Sequence, residues 1–273
     1  MKSIIELTGK NPEGPQSAIF VGVHGNEPCG IDALKKQLPN LQIDFGTLYL
    51  VFANPKAIKE NRRFVEMNLN RAFKHKKNYS IEEKNTYEFK RAKTLKKILK
   101  GVDVLLDIHS SDTPESKPFV ICEKNADQLV KYLPVETIVY GFDIVQPGGT
   151  DYYMNSIGKI GICIECGNHL NKKSAEIAEL AINNFLSARG HIKNMGKEIF
   201  NQKKFQVYNM HMTQTNSFKM AKDFADFEKV SKGTLLAKDG KNEIRVWEDS
   251  IILFPENRKK IGQEGFLLGR QLD

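Results

Sequence analysis

Between residues 18 and 189, apolar runs of strand length alternate with segments of helical period. Ala18 to Val23, Thr47 to Ala53, Val102 to His109, Pro118 to Cys122, Thr137 to Tyr140 and Ile160 to Cys166 are nearly continuous in aliphatic residues. That texture, unlike strict alternation, suits strands covered on both faces. Helices are predicted from Pro28 to about Leu38, from Lys84 to Lys100, and from Lys172 to about Arg189. The second puts Tyr87, Leu95, Ile98 and Leu99 on one side, and Gly101 stops it. Such alternation predicts an α/β domain with a mixed, largely parallel sheet and helices on both faces. After Gly196 the runs shorten to Phe205–Thr215, Gly233–Ala237, Glu243–Trp247 and Ser250–Phe254, separated by Lys-Gly, Asp-Gly and Pro signals. The chain therefore divides into a catalytic-type domain over 1–196 and a small all-β domain over 197–273.

In open α/β sheets, sites form beyond the carboxyl ends of the strands. His24, Asn54, His109 and Glu165 all fall at or just past such an end, so four polar side chains are expected on one rim. His24-Gly25-Asn26-Glu27 sits where a strand yields to a helix. Its histidine and glutamate can face one point, although a short His-x-x-Glu is common by chance. With His109 as third ligand the set fits a catalytic zinc, which takes three protein ligands and keeps one position for water. Zinc lowers the pKa of that water towards ~7, and a base is then needed to carry the proton to the leaving nitrogen. Glu165, closing an apolar strand before Cys166 and Gly167, suits that role. Between these segments lies Asn61 to Phe73, rich in arginine and asparagine. Arg63 suits stabilisation of an oxyanion, and Arg71 with Asn70 suits a bidentate grip on a carboxylate.

Charge changes the picture only in part. The 273 residues carry a formal +8, with a pI near 9.1, which brings anionic partners into consideration. The lysines of 84–100 read as a solvated helix face, and no aromatic-basic interleaving accompanies them, so no nucleic-acid partner is expected. The four cysteines are too few and too scattered for a disulfide framework. Cys163 and Cys166 lie on one strand at a spacing that turns them to opposite faces, which disfavours a shared metal. Glu6 interrupts what would be a signal-peptide core, and no stretch is apolar enough for a membrane helix, so a cytoplasmic location is expected.

Taken together, His24-Gly25-Asn26-Glu27, Asn54-Pro55, Arg63-Phe64, Asn68-Leu69-Asn70-Arg71-Ala72-Phe73, Asp107-Ile108-His109 and Glu165-Cys166-Gly167 resemble the succinylglutamate desuccinylase/aspartoacylase family of the zinc carboxypeptidase-like clan. Order and spacing match over about the first 170 residues. The tail, with Lys232-Gly233-Thr234-Leu235-Leu236-Ala237, Ile252-Leu253-Phe254-Pro255 and Ile261-Gly262-Gln263, is similar to the family's carboxy-terminal β domain. The resemblance implies one Zn2+ per chain on His24, Glu27 and His109, with Glu165 as base and Arg63 polarising the carbonyl. Asn70 and Arg71 would hold the carboxylate of an N-acyl amino acid. The implied enzyme is a zinc-dependent amidohydrolase whose metal-bound water cleaves a small anionic N-acyl amino acid, N-succinylglutamate-like or N-acetylaspartate-like. A homo-oligomer is allowed.

Two positions depart from the family pattern. Asn68 stands where the family has an aspartate that orients a zinc-bound histidine, and Asn155 stands where the aspartoacylase branch has an arginine, with Lys159 a candidate replacement. Two rival expectations remain open: a non-catalytic zinc-binding or nucleic-acid-binding protein on the same fold, and a carboxypeptidase-like hydrolase of a larger substrate.

Overall fold

The computed structural model describes residues 2–113, 116–193 and 198–272. Its strands are β1 (Ile4–Thr8), β2 (Asn11–Val21), β3 (Phe45–Phe52), β4 (Val104–Ser111), β5 (Phe119–Cys122), β6 (Thr137–Tyr140), β7 (Ile160–Asn168), β8 (Lys203–Met212), β9 (Lys219–Met220), β10 (Glu228–Val230), β11 (Leu235–Asp239), β12 (Asn242–Arg245), β13 (Ser250–Leu253) and β14 (Glu264–Gln271). The helices are α1 (Pro28–Gln37), α2 (Pro55–Glu60), α3 (Ile81–Asn85), α4 (Tyr87–Gly101), α5 (Asp127–Val130), α6 (Phe142–Val145), α7 (Thr150–Ser156) and α8 (Lys172–Arg189).

Eleven strands form one mixed sheet in the order β1-β3-β2-β4-β7-β5-β6-β8-β14-β13-β10. Its centre, β3-β2-β4-β7, is parallel, and β5 enters antiparallel to β7. The apolar runs explain that centre: Ala18, Ile19, Phe20 and Val21 of β2, and Leu105 and Leu106 of β4, are completely buried, each large aliphatic contributing about 1.5–3 kcal/mol on leaving water. One face packs on α1 and α8 through Leu34, Ala181 and Phe185; the other packs on α4 and α7 through Leu95, Leu99 and Met154. Helices thus cover both faces of the parallel core, as the alternating pattern predicts.

Three features were not predicted. β1 adds an antiparallel edge strand on β3. The lysine-rich segment is two helices, split at Thr86, which caps α4 by accepting from the Phe89 amide. And the strands after residue 198 extend the main sheet: β8 pairs parallel with β6, and β14, β13 and β10 follow antiparallel. Only β12-β11-β9 makes a separate three-stranded sheet among the described residues. The boundary expected at residues 196 and 197 lies outside the described residues.

The lysine face of α4 behaves as read: Lys90, Lys93, Lys97 and Lys100 are exposed while Phe89, Ala92, Leu95 and Leu99 are buried. Cys163 and Cys166 fall into cores on opposite sides of the sheet, and all four cysteines are free thiols. No helix among the described residues is long and apolar enough to cross a membrane.

Candidate metal centre and active site

The parallel strands β2, β4 and β7 run side by side and deliver their polar residues to one rim. Val21 pairs with Ile108, and His109 pairs directly with Glu165. After β2 the chain turns through Gly22 to Glu27 and enters α1 at Pro28, whose fixed φ and missing N–H suit a first helical position. The turn leaves no room for a side chain at Gly25, where a Cβ would lie 2.1 Å from the Ala57 carbonyl carbon of α2. α2 is itself fixed by Asn54, whose side chain accepts the Ala57 amide, with Pro55 beginning the helix.

This path closes a buried triangle. Glu27, 3% exposed, points one carboxylate oxygen at His24 Nδ1 (2.6 Å) and the other at His109 Nδ1 (2.8 Å). Ligand atoms of the three residues all lie within 4.8 Å of one another. Two imidazole nitrogens and a carboxylate converging in a buried recess are the donor set of a divalent metal with an open position. The outer ring nitrogens are held differently. His24 Nε2 donates to Asn68 Oδ1 at 3.0 Å, whereas His109 Nε2 lies 3.1 Å from the Asp107 carboxylate. Asp107 in turn accepts a short hydrogen bond from the Thr150 hydroxyl. Asn68 therefore does reach the histidine, with a neutral amide in place of a carboxylate; its oxygen also accepts the Asn70 amide at 2.9 Å.

Electrostatics follow this asymmetry. Burial, opposed by Glu27, lowers His24 to about 4, so its ring is neutral and ready to ligate. Burial also disfavours charge on His109, but the Asp107 and Glu27 carboxylates outweigh it and hold this ring well above the ordinary histidine range. For Glu27 the two imidazoles overcome burial, and its carboxyl lies well below the usual carboxylate range.

Glu165 stands across from His109 with Oε2 buried and without a hydrogen-bond partner among the described residues. Burial and the Glu27 charge push it up to about 8, against His109 and Arg63. A carboxyl so poised, facing the triangle, is equipped to take and return a proton near neutral pH. Arg63 places Nη1 3.2 Å from Glu27 Oε1 while half of its side chain remains exposed to the pocket. Arg71 is pinned by Glu264 of β14 through Nε (3.1 Å) and Nη2 (2.8 Å), and by the Asn70 carbonyl through Nη1 (2.8 Å). Asn70 Oδ1 accepts the Thr150 amide (3.3 Å), which leaves its Nδ2 hydrogens for a ligand. All seven residues singled out in the sequence thus gather in one region. His24, Glu27, Arg63, Asn70, Arg71 and Glu165 line a pocket of about 520 Å³, with His109 behind Glu27. Lys159 does not join them. Its ammonium donates to the Lys100 and Val102 carbonyls at the end of α4.

Two supports escaped the sequence reading. Glu88 of α4 is completely buried, and its carboxylate accepts the amides of Val65 (2.7 Å), Glu66 (3.2 Å) and Met67 (3.2 Å), and Asn54 Nδ2 (3.3 Å). It fixes the loop that carries Arg63 and Asn68. Its signal was an acid on the apolar side of an otherwise lysine-rich helix. The other is the C-terminal contribution: Phe254, Pro255, Glu256, Arg258 and Glu264 line the same pocket as the metal triangle. A smaller recess of about 400 Å³, lined by His211, Arg245 and Trp247, contains none of these groups.

The sequence model of the succinylglutamate desuccinylase/aspartoacylase catalytic domain matches residues 13–189, well over half the chain. A rat N-acyl-aromatic-L-amino acid amidohydrolase (carboxylate-forming) is 32% identical over 167 residues, covering 55% of this chain; the match spans 52% of that relative's length. The succinylglutamate desuccinylase of Pseudoalteromonas atlantica is 24% identical over 305 aligned positions, covering 97% of this chain and 83% of its own. In structure, the succinylglutamate desuccinylase of Vibrio cholerae superposes with a TM-score of 0.82 at 17% identity, over 100% of this chain and 86% of that one, which establishes a shared fold. The chain belongs to the succinylglutamate desuccinylase/aspartoacylase family.

Proposed function

We propose that this protein is a zinc-dependent amidohydrolase that cleaves the amide bond of a small N-acyl amino acid, releasing the amino acid and a carboxylic acid. His24, Glu27 and His109 would hold one Zn2+ per chain. When bound there, zinc acts as a Lewis acid that lowers the pKa of water towards ~7 and polarises the acyl carbonyl.

The remaining work falls to the chain. Glu165 takes a proton from the attacking water and returns it to the leaving nitrogen as the C–N bond breaks, so one carboxyl serves as base and then as acid. Arg63 donates to the developing oxyanion from the side of Glu27. Arg71 and Asn70 hold the substrate's α-carboxylate, a planar guanidinium paired with an amide donor. N-succinylglutamate-like and N-acetylaspartate-like compounds are the starting candidates. In this division of labour residues 1–196 carry the chemistry and residues 197–273 close the entrance. The wall built from Phe254 to Glu264 supports a small substrate over a protein-sized one.

The observation that carries this reading is the register of Glu165 opposite His109, with an unpartnered carboxylate oxygen beside the metal triangle. The test is release of free amine from a panel of N-acetyl, N-formyl and N-succinyl amino acids by zinc-loaded protein, with metal content measured in parallel. Turnover of some panel members at one zinc per chain is expected. A protein that binds zinc yet hydrolyses no N-acyl amino acid would overturn the proposal.

A further inference from the structure

The pocket's own charges point to its substrate's side chain. Of the arginines that reach the pocket, Arg71 has Glu264 and Arg258 has Glu256 at 2.5 Å, while Arg63 shares Glu27 with the metal position. Two further acids line the same pocket without an ion-pair partner among the described residues, Asp143 of α6 and Asp151 of α7, the latter within the field of His109. Asp151 is 9% exposed and accepts a hydrogen bond from the nearby Tyr152 amide. Asp143 accepts a hydrogen bond from the neutral Asn155 Nδ2 at 3.0 Å. Lys159, the lysine nearest Asp151 in sequence, is turned to the end of α4.

Asp151 is also placed against the substrate grip. A Cβ on Gly149 would lie 2.3 Å from Asp151 Oδ1 and 3.3 Å from Asn70 Oδ1, so glycine keeps open the gap between that carboxylate and the carboxamide assigned to the α-carboxylate. Burying a carboxylate without a counter-charge is costly, and two of them near each other more so. Burial and Asp143 together push Asp151 up to about 6, and burial raises Asp143 as well. A ligand cation relieves both; a second ligand carboxylate worsens both.

We propose that Asp151, supported by Asp143, forms a subsite for a positively charged side chain, so that the preferred substrate is the N-acyl derivative of a basic amino acid bearing an amine or guanidinium. The subsite narrows the substrate class within the amidohydrolase reading and rests on it.

Matched N-acetyl derivatives of ornithine, glutamine and glutamate test the charge alone. With zinc-loaded protein, kcat/KM for the ornithine compound exceeds that for the glutamate compound by about 30-fold or more, the equivalent of one fully used charge pair. Asp151→Asn brings the two within about threefold, and Asp143→Asn, a second variant should the first fail to fold, reduces the ratio part way. A glutamate derivative turned over as well as the ornithine one, or a preference untouched by both substitutions, overturns the subsite. Calorimetric binding of free ornithine against free glutamate separates this failure from failure of the reaction itself. If no N-acyl amino acid is hydrolysed but ornithine binds better than glutamate, and the difference vanishes in Asp151→Asn, the subsite stands and the amidohydrolase reading falls. Equal binding of the two amino acids in the parent protein overturns the subsite.

Discussion

Two parts of the pocket lining are built by different means. On one side His109 and Glu165 sit in register on adjacent parallel strands, and His24 and Glu27 frame the turn that follows a third; each charged group there has a partner or a metal position to face. Elsewhere along the lining stand short helices and the C-terminal segment, where Arg71 is paired with Glu264 while Asp143 and Asp151 have no ion pair among the described residues. The first wall is fixed by strand hydrogen bonds and close packing, which gives the precision that bond-breaking requires. The second is set by pairing between loops, and in the proposed subsite its acids would select the substrate side chain. Chemistry and selectivity are thereby separated, and substitutions should separate them too.

The largest effect is expected at the centre of the first wall. Glu27→Gln keeps the volume but removes the charge that balances two buried imidazoles. Metal content should fall to a small fraction of one per chain and hydrolysis by about a thousandfold or more, as measured by elemental analysis beside an amine-release assay. Next is Glu88→Ala, which strips three loop amides and Asn54 of their acceptor. It should cost about 2–4 kcal/mol in denaturant unfolding and about a hundredfold in kcat/KM as Arg63 and Asn68 lose their position, even though Glu88 does not line the pocket.

Asp151→Asn, on the second wall, should act on stability in the opposite direction. The folded protein holds a proton on Asp151 up to about pH 6, whereas an unfolded aspartate releases it near 3.8. Folded chains therefore bind more protons in that window, so stability falls as pH rises through it and stays lower above pH 6. Removing the acid should raise stability by about 2–3 kcal/mol above pH 6 and leave it unchanged below about pH 4. No gain at pH 7 would show that Asp151 is not the strained group described. The smallest effect concerns the outer nitrogens of the two histidines. Asn68→Asp would give His24 the carboxylate partner that His109 already has in Asp107, and zinc affinity should rise about tenfold in competition with a chelator; unchanged affinity would mean that the amide holds the ring as well as a carboxylate does.

This contrast also explains which parts the sequence disclosed. His24, Glu27, His109 and Glu165 were legible because each closes or follows an apolar run, and one rule, that strand ends share a rim, brings them together without long-range detail. The helices on both faces were legible from period alone. Asp151 was not, because its meaning lies in what does not pair with it, a property of three segments far apart in the chain. Glu88 was hidden by its neighbours: among so many lysines an acid reads as a surface pair, and only the fold shows three amides converging on it. β1 and the joining of β8 to β6 were missed because edge pairing and register across long separations leave little local trace. Lys159 was misplaced for the same reason, its spacing to Glu165 saying nothing about the direction its side chain takes before the strand begins.

The central claim is that Glu165 moves the proton for a metal held by His24, Glu27 and His109. Zinc content and steady-state hydrolysis measured together on the parent and on Glu165→Gln test it most directly. One zinc per chain in both proteins, with kcat of the variant lower by about a thousandfold, is the predicted result. A variant that turns over N-acyl amino acids as fast as the parent, or a parent that hydrolyses them equally well after zinc is stripped, would contradict it.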